Sequence, residues 1–211
     1  MKDLFKEIRT MAEKIKSAIV FFSTGKDSVV ILDLCHKFIK NIKVVSLYIV
    51  PDLEYKNKLL SIYEKKYKLN IHQFPLPDIN NIFIKYSMKK GRKLKQIDIE
   101  NYIREKFDIN YVVYGYKMVD SVNRAGIMNA PYVKDGIDTK NNRLFPLARW
   151  SQKEVLYYIK QNKLFLSPEY DYGFRDINEF TKESLNFIKE KFHRDYKKII
   201  DFYPFLKYKE L

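Results

Sequence analysis

The sequence predicts an α/β protein: a doubly wound sheet of about five parallel strands with helices on both faces, extended by helices toward its C-terminal end. Three observations carry that prediction. Short apolar runs rich in β-branched and aromatic residues alternate with amphipathic segments of about ten residues or more, the pattern of βαβ units joined by right-handed crossovers. Those runs do not alternate apolar with polar residues, which suits strands covered on both faces. Polar junctions follow the strands, at the sheet edge where open α/β proteins bind their ligands.

Taken in order, an amphipathic helix spans about Asp3 to Lys16, and Ala18 to Phe22 (AIVFF) is a buried first strand ended by a turn signal. A helix apolar on most faces follows from Asp27 to Ile39, then a second strand from Lys43 to Val50, stopped by Pro51. Glu54 to Tyr67 is a lysine-rich surface helix and Ile71 to Phe74 a short third strand. Pro75 to Arg92 has no decisive pattern and is left unassigned. Leu94 to Phe107 is helical, Tyr111 to Gly115 a fourth strand and Arg143 to Leu147 a fifth. Between these two strands, Met118 to Asn142 is long and polar, the profile of a lid ordering over substrate. Ser151 with Glu154 three residues on forms a capping box that opens the next helix. Helices complete the chain from Asp176, the last one ending at the Tyr203-Pro204 step.

The expected organisation is a single nucleotide-binding domain, because 211 residues suffice for one α/β unit and are too few for two comfortable ones. It divides into an N-terminal helix (1–17), a core (18–175) and a helical C-terminal extension (176–211). With 46% hydrophobic and 31% charged residues the chain reads as globular rather than disordered. No run approaches the roughly 18 apolar residues of a membrane span, so no membrane partner is expected. MKDLFKEIRTMAEKIK lacks the apolar region of a signal peptide, and a cytoplasmic location is the expectation.

Cys35 stands alone, which excludes an internal disulfide framework and a cysteine-held iron–sulfur cluster within one chain. Its apolar helical neighbours make it a buried small hydrophobe. His36, His72 and His193 have no ligand-like spacing and offer no zinc site. The net charge of +14 admits a nucleic-acid partner through phosphate neutralisation. Only eight of the 40 basic residues are Arg, however, and they are spread along a chain crowded with Ile, Asn and Tyr, a composition that AT-rich coding alone produces. Self-association is compatible with the composition and is not specified by it.

The chemistry concentrates in Ser23-Thr24-Gly25-Lys26-Asp27-Ser28, between the first strand and the helix after it. Unpaired N–H groups and the macrodipole make the start of that helix an anion site. Gly25 is expected to turn the chain tightly and to let an anion approach the backbone. Ser23, Thr24 and Ser28 bring hydroxyl donors and Lys26 a full positive charge. The loop contains neither GxxxxGK[ST] nor GxGxxG.

This loop resembles the PP-loop, S-x-G-K-D-S, of ATP pyrophosphatases and the phosphoadenosine phosphosulfate (PAPS) reductase family, with Thr24 where many members carry a second glycine. Gly115 to Arg124 (GYKMVDSVNR) is similar to that family's G-x-R-x-x-E-S-x-x-R element, with Lys117 in place of Arg and Asp120 in place of Glu. Phe145 to Ile159 resembles its P-[IL]-x-x-W-[ST]-x-x-x-V-x-x-Y-I run, and Tyr170 to Phe174 its Y-D-x-G-[FY] element. The resemblance implies an adenine nucleotide α-hydrolase-like fold, an ATP-type ligand, Mg²⁺ on its phosphates, and attack at the α-phosphate with release of pyrophosphate. It implies nucleotide or phosphate contacts for Ser23 to Ser28, Gly115, Lys117, Ser121, Arg124 and Arg149, with Lys26 and Arg124 as the catalytic pair. Asp27 and Asp120 are the candidates for holding Mg²⁺ through water, although a helix cap and a surface charge explain them as well. Trp150, Tyr158 and Ile159 read as packing at the helix start.

Reduction of PAPS in that family relies on a cysteine in a C-terminal E-C-G-x-H motif, whereas this sequence closes on YPFLKYKEL. The expected activity is therefore ATP-dependent adenylyl transfer or pyrophosphate release to an unidentified acceptor, in the manner of the FAD synthetases that also resemble the family. Two alternatives remain open at this point: a PP-loop enzyme that modifies tRNA or DNA, and a protein that binds nucleotide without turning it over.

Overall fold

The computed structural model describes residues 3–79, 92–167, 170 and 180–209. Its elements in chain order begin with α1 (Lys6–Lys14), β1 (Ser17–Phe21), α2 (Lys26–Phe38), β2 (Asn41–Tyr48), α3 (Glu54–Tyr67) and β3 (Ile71–Pro75). Next come α4 (Gln96–Phe107), β4 (Val112–Val113), a 3₁₀ turn (Met118–Asp120) and α5 (Val122–Met128). β5 (Val133–Lys134), β6 (Ile137–Asp138), β7 (Arg143–Leu144), α6 (Gln152–Gln161), α7 (Lys182–Lys191), α8 (His193–Phe202) and a 3₁₀ segment (Pro204–Lys209) complete it. Most of the segment left unassigned in the sequence, residues 80–91, lies outside the described residues.

The strands are ordered β3-β2-β1-β4-β7-β6-β5. The five parallel strands β3, β2, β1, β4 and β7 are those expected, and strand order reverses between β1 and β4. β1 explains the two-sided burial. Ala18, Val20 and Phe22 enter one core cluster with Ile8, Met11 and the apolar face of α2, while Ile19 and Phe21 enter another with Ile103 of α4 and Val112. Chain direction reverses after β3, so right-handed crossovers put α2 and α3 on one face and α4 on the other.

Two short antiparallel strands, β5 and β6, extend the sheet where the sequence suggested a long polar lid over Met118 to Asn142. That stretch holds the first 3₁₀ turn, α5 and this hairpin. Asp135 and Gly136 both have positive φ (50° and 75°), which a tight hairpin needs. A Cβ on Gly136 would lie 2.7 Å from the Phe145 carbonyl oxygen, so no other residue fits there without displacing backbone.

Buried carboxylates tie the helices together. Asp33 of α2 accepts 2.6 Å hydrogen bonds from the Tyr67 and Tyr158 hydroxyls and lies 2.7 Å from the Lys37 ammonium. One side chain thus joins α2, α3 and α6. Glu100 of α4 is fully buried, accepting from the Tyr114 hydroxyl (2.6 Å) and from Arg143 through two nitrogens (2.8 and 3.1 Å). Trp150 is buried with its indole N–H donating to the Leu4 carbonyl at 2.8 Å, the packing role expected of it. The expected capping box at Ser151 is formed with Glu154.

The C-terminal helices form a third apolar cluster. Leu185, Ile188, Ile199, Ile200 and Tyr203 pack on Val50, Leu53 and Tyr55, just beyond β2. Asp195 fastens them: its carboxylate accepts the backbone N–H groups of Glu54 (2.8 Å) and Tyr55 (3.0 Å), capping α3 from a distant part of the chain.

Burial works to raise the Asp33 carboxyl, but the hydrogen bonds from Lys37, Tyr158 and Tyr67 outweigh it and hold the group below its ordinary value of 3.8. A depressed folded value means that its stabilisation is complete above the unfolded value and is lost as pH falls through the folded one. Asp33→Asn should cost about 3 kcal/mol near neutral pH, the scale for breaking a buried charged network. In urea unfolding from pH 7 down to pH 2.5, the gap between the two proteins should narrow below about pH 4. A gap that stays constant would contradict the assignment.

Candidate functional site

A cavity of about 880 Å³ opens at the C-terminal ends of β1, β2 and β4, beside the reversal in strand order. One side is polar, formed by Ser23, Gly25, Lys26, Asp27, Ser28 and Arg124, with Asp120 beside them. The other is apolar, formed by Val45, Leu47 and Ile49 of the β2 end and by Phe180, Tyr203 and Leu206 of the C-terminal segment.

The loop between β1 and α2 places the start of α2 at this cavity. Gly25 is the N-cap and no side chain caps the helix, so its first N–H groups receive no side-chain partner. Gly25 itself has φ −73° and ψ 159°, ordinary extended backbone, and a Cβ there would meet only Ser23 Oγ at 3.5 Å. The expected tight turn therefore does not rest on Gly25. It falls on Thr24, at φ 68°. A β-branched residue is strained in that region. The Thr24 hydroxyl donates to the Ser23 carbonyl (2.5 Å) and the Ser28 hydroxyl to the Gly25 carbonyl (2.7 Å), so these two of the three expected hydroxyl donors serve the loop's own backbone. Ser28 borders the cavity, whereas Thr24 is buried outside its lining.

Charges alternate across the polar side. The Lys26 ammonium is 2.7 Å from Asp27 Oδ2, and the Lys117 ammonium is 2.7 Å from Asp27 Oδ1 and 3.0 Å from Asp120 Oδ1. Arg124 reaches Asp120 Oδ2 at 2.7 Å. Three cations face two carboxylates, which leaves one positive charge at the cavity wall. Burial works to raise the Asp120 carboxyl, yet the hydrogen bonds from Lys117 and Arg124 prevail and hold it below the usual carboxylate value. Every oxygen of Asp27 and Asp120 is opposed by a cation, so the Mg²⁺ role expected of the pair would require a cation such as Lys26 to leave its carboxylate. No group of three or more metal-binding side chains occurs among the described residues.

The other expected site residues divide. Gly115 borders the cavity because it packs on the loop: a Cβ there would come within 3.2 Å of Asp27. Lys117 is fully buried behind the wall rather than exposed to a ligand. Ser121 accepts the Arg124 backbone N–H at 3.2 Å as the N-cap of α5 and stands outside the lining. Arg149 is also outside it, on the surface 3.5 Å from Glu7 of α1. Of the expected Tyr170 to Phe174 element, residues 171–174 lie outside the described residues.

Several wall residues were not foreseen. Phe21, Tyr114 and Tyr116 stack in a ladder with centroid separations of 5.0 and 4.8 Å, and the Arg124 guanidinium lies 4.3 Å over Tyr116. The stack and the Asp120 ion pair together fix Arg124 in one orientation. The repeated aromatics of Tyr111-Val112-Val113-Tyr114-Gly115-Tyr116 were the available signal. Cys35, by contrast, is buried in α2 away from the cavity, and burial pushes its thiol well up.

Residues 17–184 match the phosphoadenosine phosphosulfate reductase domain. The chain belongs to that family. No curated protein matches it in sequence. Among solved structures, the PAPS reductase from Candida auris, a phosphate complex, superimposes with a TM-score of 0.59 at 16% identity, covering 85% of this chain and 89% of that one. The U34-tRNA thiolase NcsA from Methanococcus maripaludis, with its [4Fe-4S] cluster, gives 0.55 at 12% identity over 97% and 78%. The FMN adenylyltransferase of Candida glabrata, in complex with FAD and inorganic pyrophosphate, gives 0.56 at 13% over 81% and 60%. At these identities the likeness is one of fold.

Thr24→Gly tests the strain at this family's loop. Relief of about 1–3 kcal/mol of backbone strain should offset most of the roughly 2–3 kcal/mol lost through glycine's entropy, the two buried side-chain carbons and the hydroxyl hydrogen bond. The unfolding free energy should therefore stay within about 1 kcal/mol of the parent's. Gly25→Ala should leave thermal stability unchanged or slightly raised. A loss of about 2 kcal/mol in either variant would show that side-chain contacts, not backbone conformation, govern the loop.

Proposed function

We propose that this PAPS reductase family member binds ATP in the cavity and transfers its adenylyl group to an acceptor, releasing pyrophosphate. The observation that carries the reading is the uncapped start of α2, flanked by Lys26 and facing a cavity with one polar and one apolar side. A polyphosphate suits the polar end, where helix N–H groups and an excess of one positive charge converge. A nucleoside suits the apolar end beside Val45 and Leu47. At about 880 Å³ the cavity sits high in the size range of small-molecule sites, with room for a nucleotide and an acceptor together.

In this reading an anionic oxygen of the acceptor attacks the α-phosphorus of ATP. The new O–P bond forms as the bond to the β-phosphate bridging oxygen breaks, and pyrophosphate leaves. With a phosphate monoester dianion as acceptor, no proton has to move. Lys26 and the α2 amides stabilise charge on the pyrophosphate, and Arg124 holds the transferring group. Positioning and electrostatics supply the rate, with no covalent protein intermediate. Cys35 takes no part, since it is buried outside the cavity.

ATP should bind in calorimetric titration, and Lys26→Ala should weaken it about ten- to a hundredfold, the worth of one charge-assisted hydrogen bond. Gly25→Ala should weaken ATP binding as well, because in this reading the phosphates approach the backbone at the start of α2, where a Cβ would crowd them. Pyrophosphate release measured across phosphate-bearing small molecules, tRNA and DNA identifies the acceptor class. ATP binding without pyrophosphate release from any acceptor would reduce the protein to a nucleotide binder, and an absence of ATP binding would refute the proposal.

A further inference from the structure

Lys117 is the most deeply buried charge at the site, fully enclosed and outside the cavity lining, so its ammonium does not reach a ligand. It nevertheless touches both carboxylates of the charged wall, 2.7 Å from Asp27 and 3.0 Å from Asp120. Its own backbone N–H donates to Asp120 at 3.0 Å, and Gly115, two residues earlier, packs directly on Asp27. The segment after β4 is thus keyed to the first turn of α2, and the lysine has little freedom to drift.

Consider what nucleotide binding asks of Lys26. In the free protein its ammonium is engaged by Asp27 Oδ2 at 2.7 Å. To serve a phosphate it has to leave that partner, which would abandon a carboxylate beside an incoming polyanion. Both the lost ion pair and the new repulsion oppose binding. Asp27 has a second counter-ion on its other oxygen, and that counter-ion is fully buried outside the cavity lining.

We propose that Lys117 is a positioning residue that keeps Asp27 neutralised and in place when Lys26 moves from it to the phosphates of the nucleotide. The inference rests on the nucleotide reading above and assigns this lysine a part in it that differs from phosphate contact. Lys117 works through Asp27, and the ligand never touches it.

The test is calorimetric titration of ATP and of inorganic pyrophosphate into the unsubstituted protein, Lys117→Met, Lys117→Arg and the double variant Asp27→Asn/Lys117→Met, with unfolding midpoints measured without ligand. Lys117→Met should lose about tenfold or more in affinity for both ligands, because Lys26 is then retained by an otherwise bare carboxylate. Lys117→Arg, which keeps the charge, should retain most of the affinity. The double variant should recover most of the loss, since charge and counter-charge are removed together. That recovery is not the mark of a merely structural lysine, for which a second substitution adds damage. Where Lys117→Met does not fold, the double variant decides: it has to fold and bind ATP. Unchanged binding by a folded Lys117→Met, or a double variant that fails to fold or binds no better than the single one, overturns the inference while leaving the nucleotide reading standing. Absence of ATP binding by the unsubstituted protein overturns both.

Discussion

A carboxylate held between two ammonium groups governs the arrangement of the whole site. Asp27 sits in the first turn of α2 with Lys26 on one oxygen and Lys117 on the other, so it links the start of α2 to the segment after β4. Gly115 follows from that contact, since any larger residue would push on Asp27. Asp120 is held because Lys117 binds it, and Arg124 because Asp120 and Tyr116 clamp it from two sides. An exposed ion pair contributes little, but a chain of pairs that is partly buried fixes geometry that isolated charges would leave loose.

The rest of the fold repeats this device at a distance. Asp33 joins three helices on one face of the sheet, Glu100 binds α4 to β4 and β7 on the other, and Asp195 caps α3 from the C-terminal helices. Each carboxylate meets several donors, which is what makes burying it tolerable. The Asp195 cap has a consequence for the cavity: it brings Phe180, Tyr203 and Leu206 over the strand ends, where they supply much of the apolar wall. That helix cap therefore contributes to the shape of the cavity.

Much of this was legible in the sequence because short-range physics fixed it. The apolar run of β1, the helix after the Gly25 junction, the capping box at Ser151 and the packing of Trp150 each follow from a local pattern, and each stands where expected. The β5–β6 hairpin was equally local, its Asp135-Gly136 pair being a strong turn signal, and it was passed over because its strands are only two residues long. Site assignments fared unevenly for a different reason. A motif gives residue type and spacing, whereas burial and direction come from distant packing. Lys117 and Arg124 were both expected to contact phosphate, yet one is sealed behind the wall and the other faces the cavity. Ser121 and Arg149 carry suitable chemistry and are turned to a helix cap and to α1. Nothing local could announce the contribution of residues near 203–206 to a site built around residue 25.

The central claim is that an adenine nucleotide sits with its phosphates on the start of α2. Backbone amide shift mapping during titration with ATP tests it most directly. The amides of Gly25 to Ser28 and of Tyr116 and Arg124 should shift together and saturate with one affinity, while those of α6, on the far side of α2, stay still. Shifts confined to other surfaces, or a titration that leaves the Gly25 to Ser28 amides unmoved, would contradict the account.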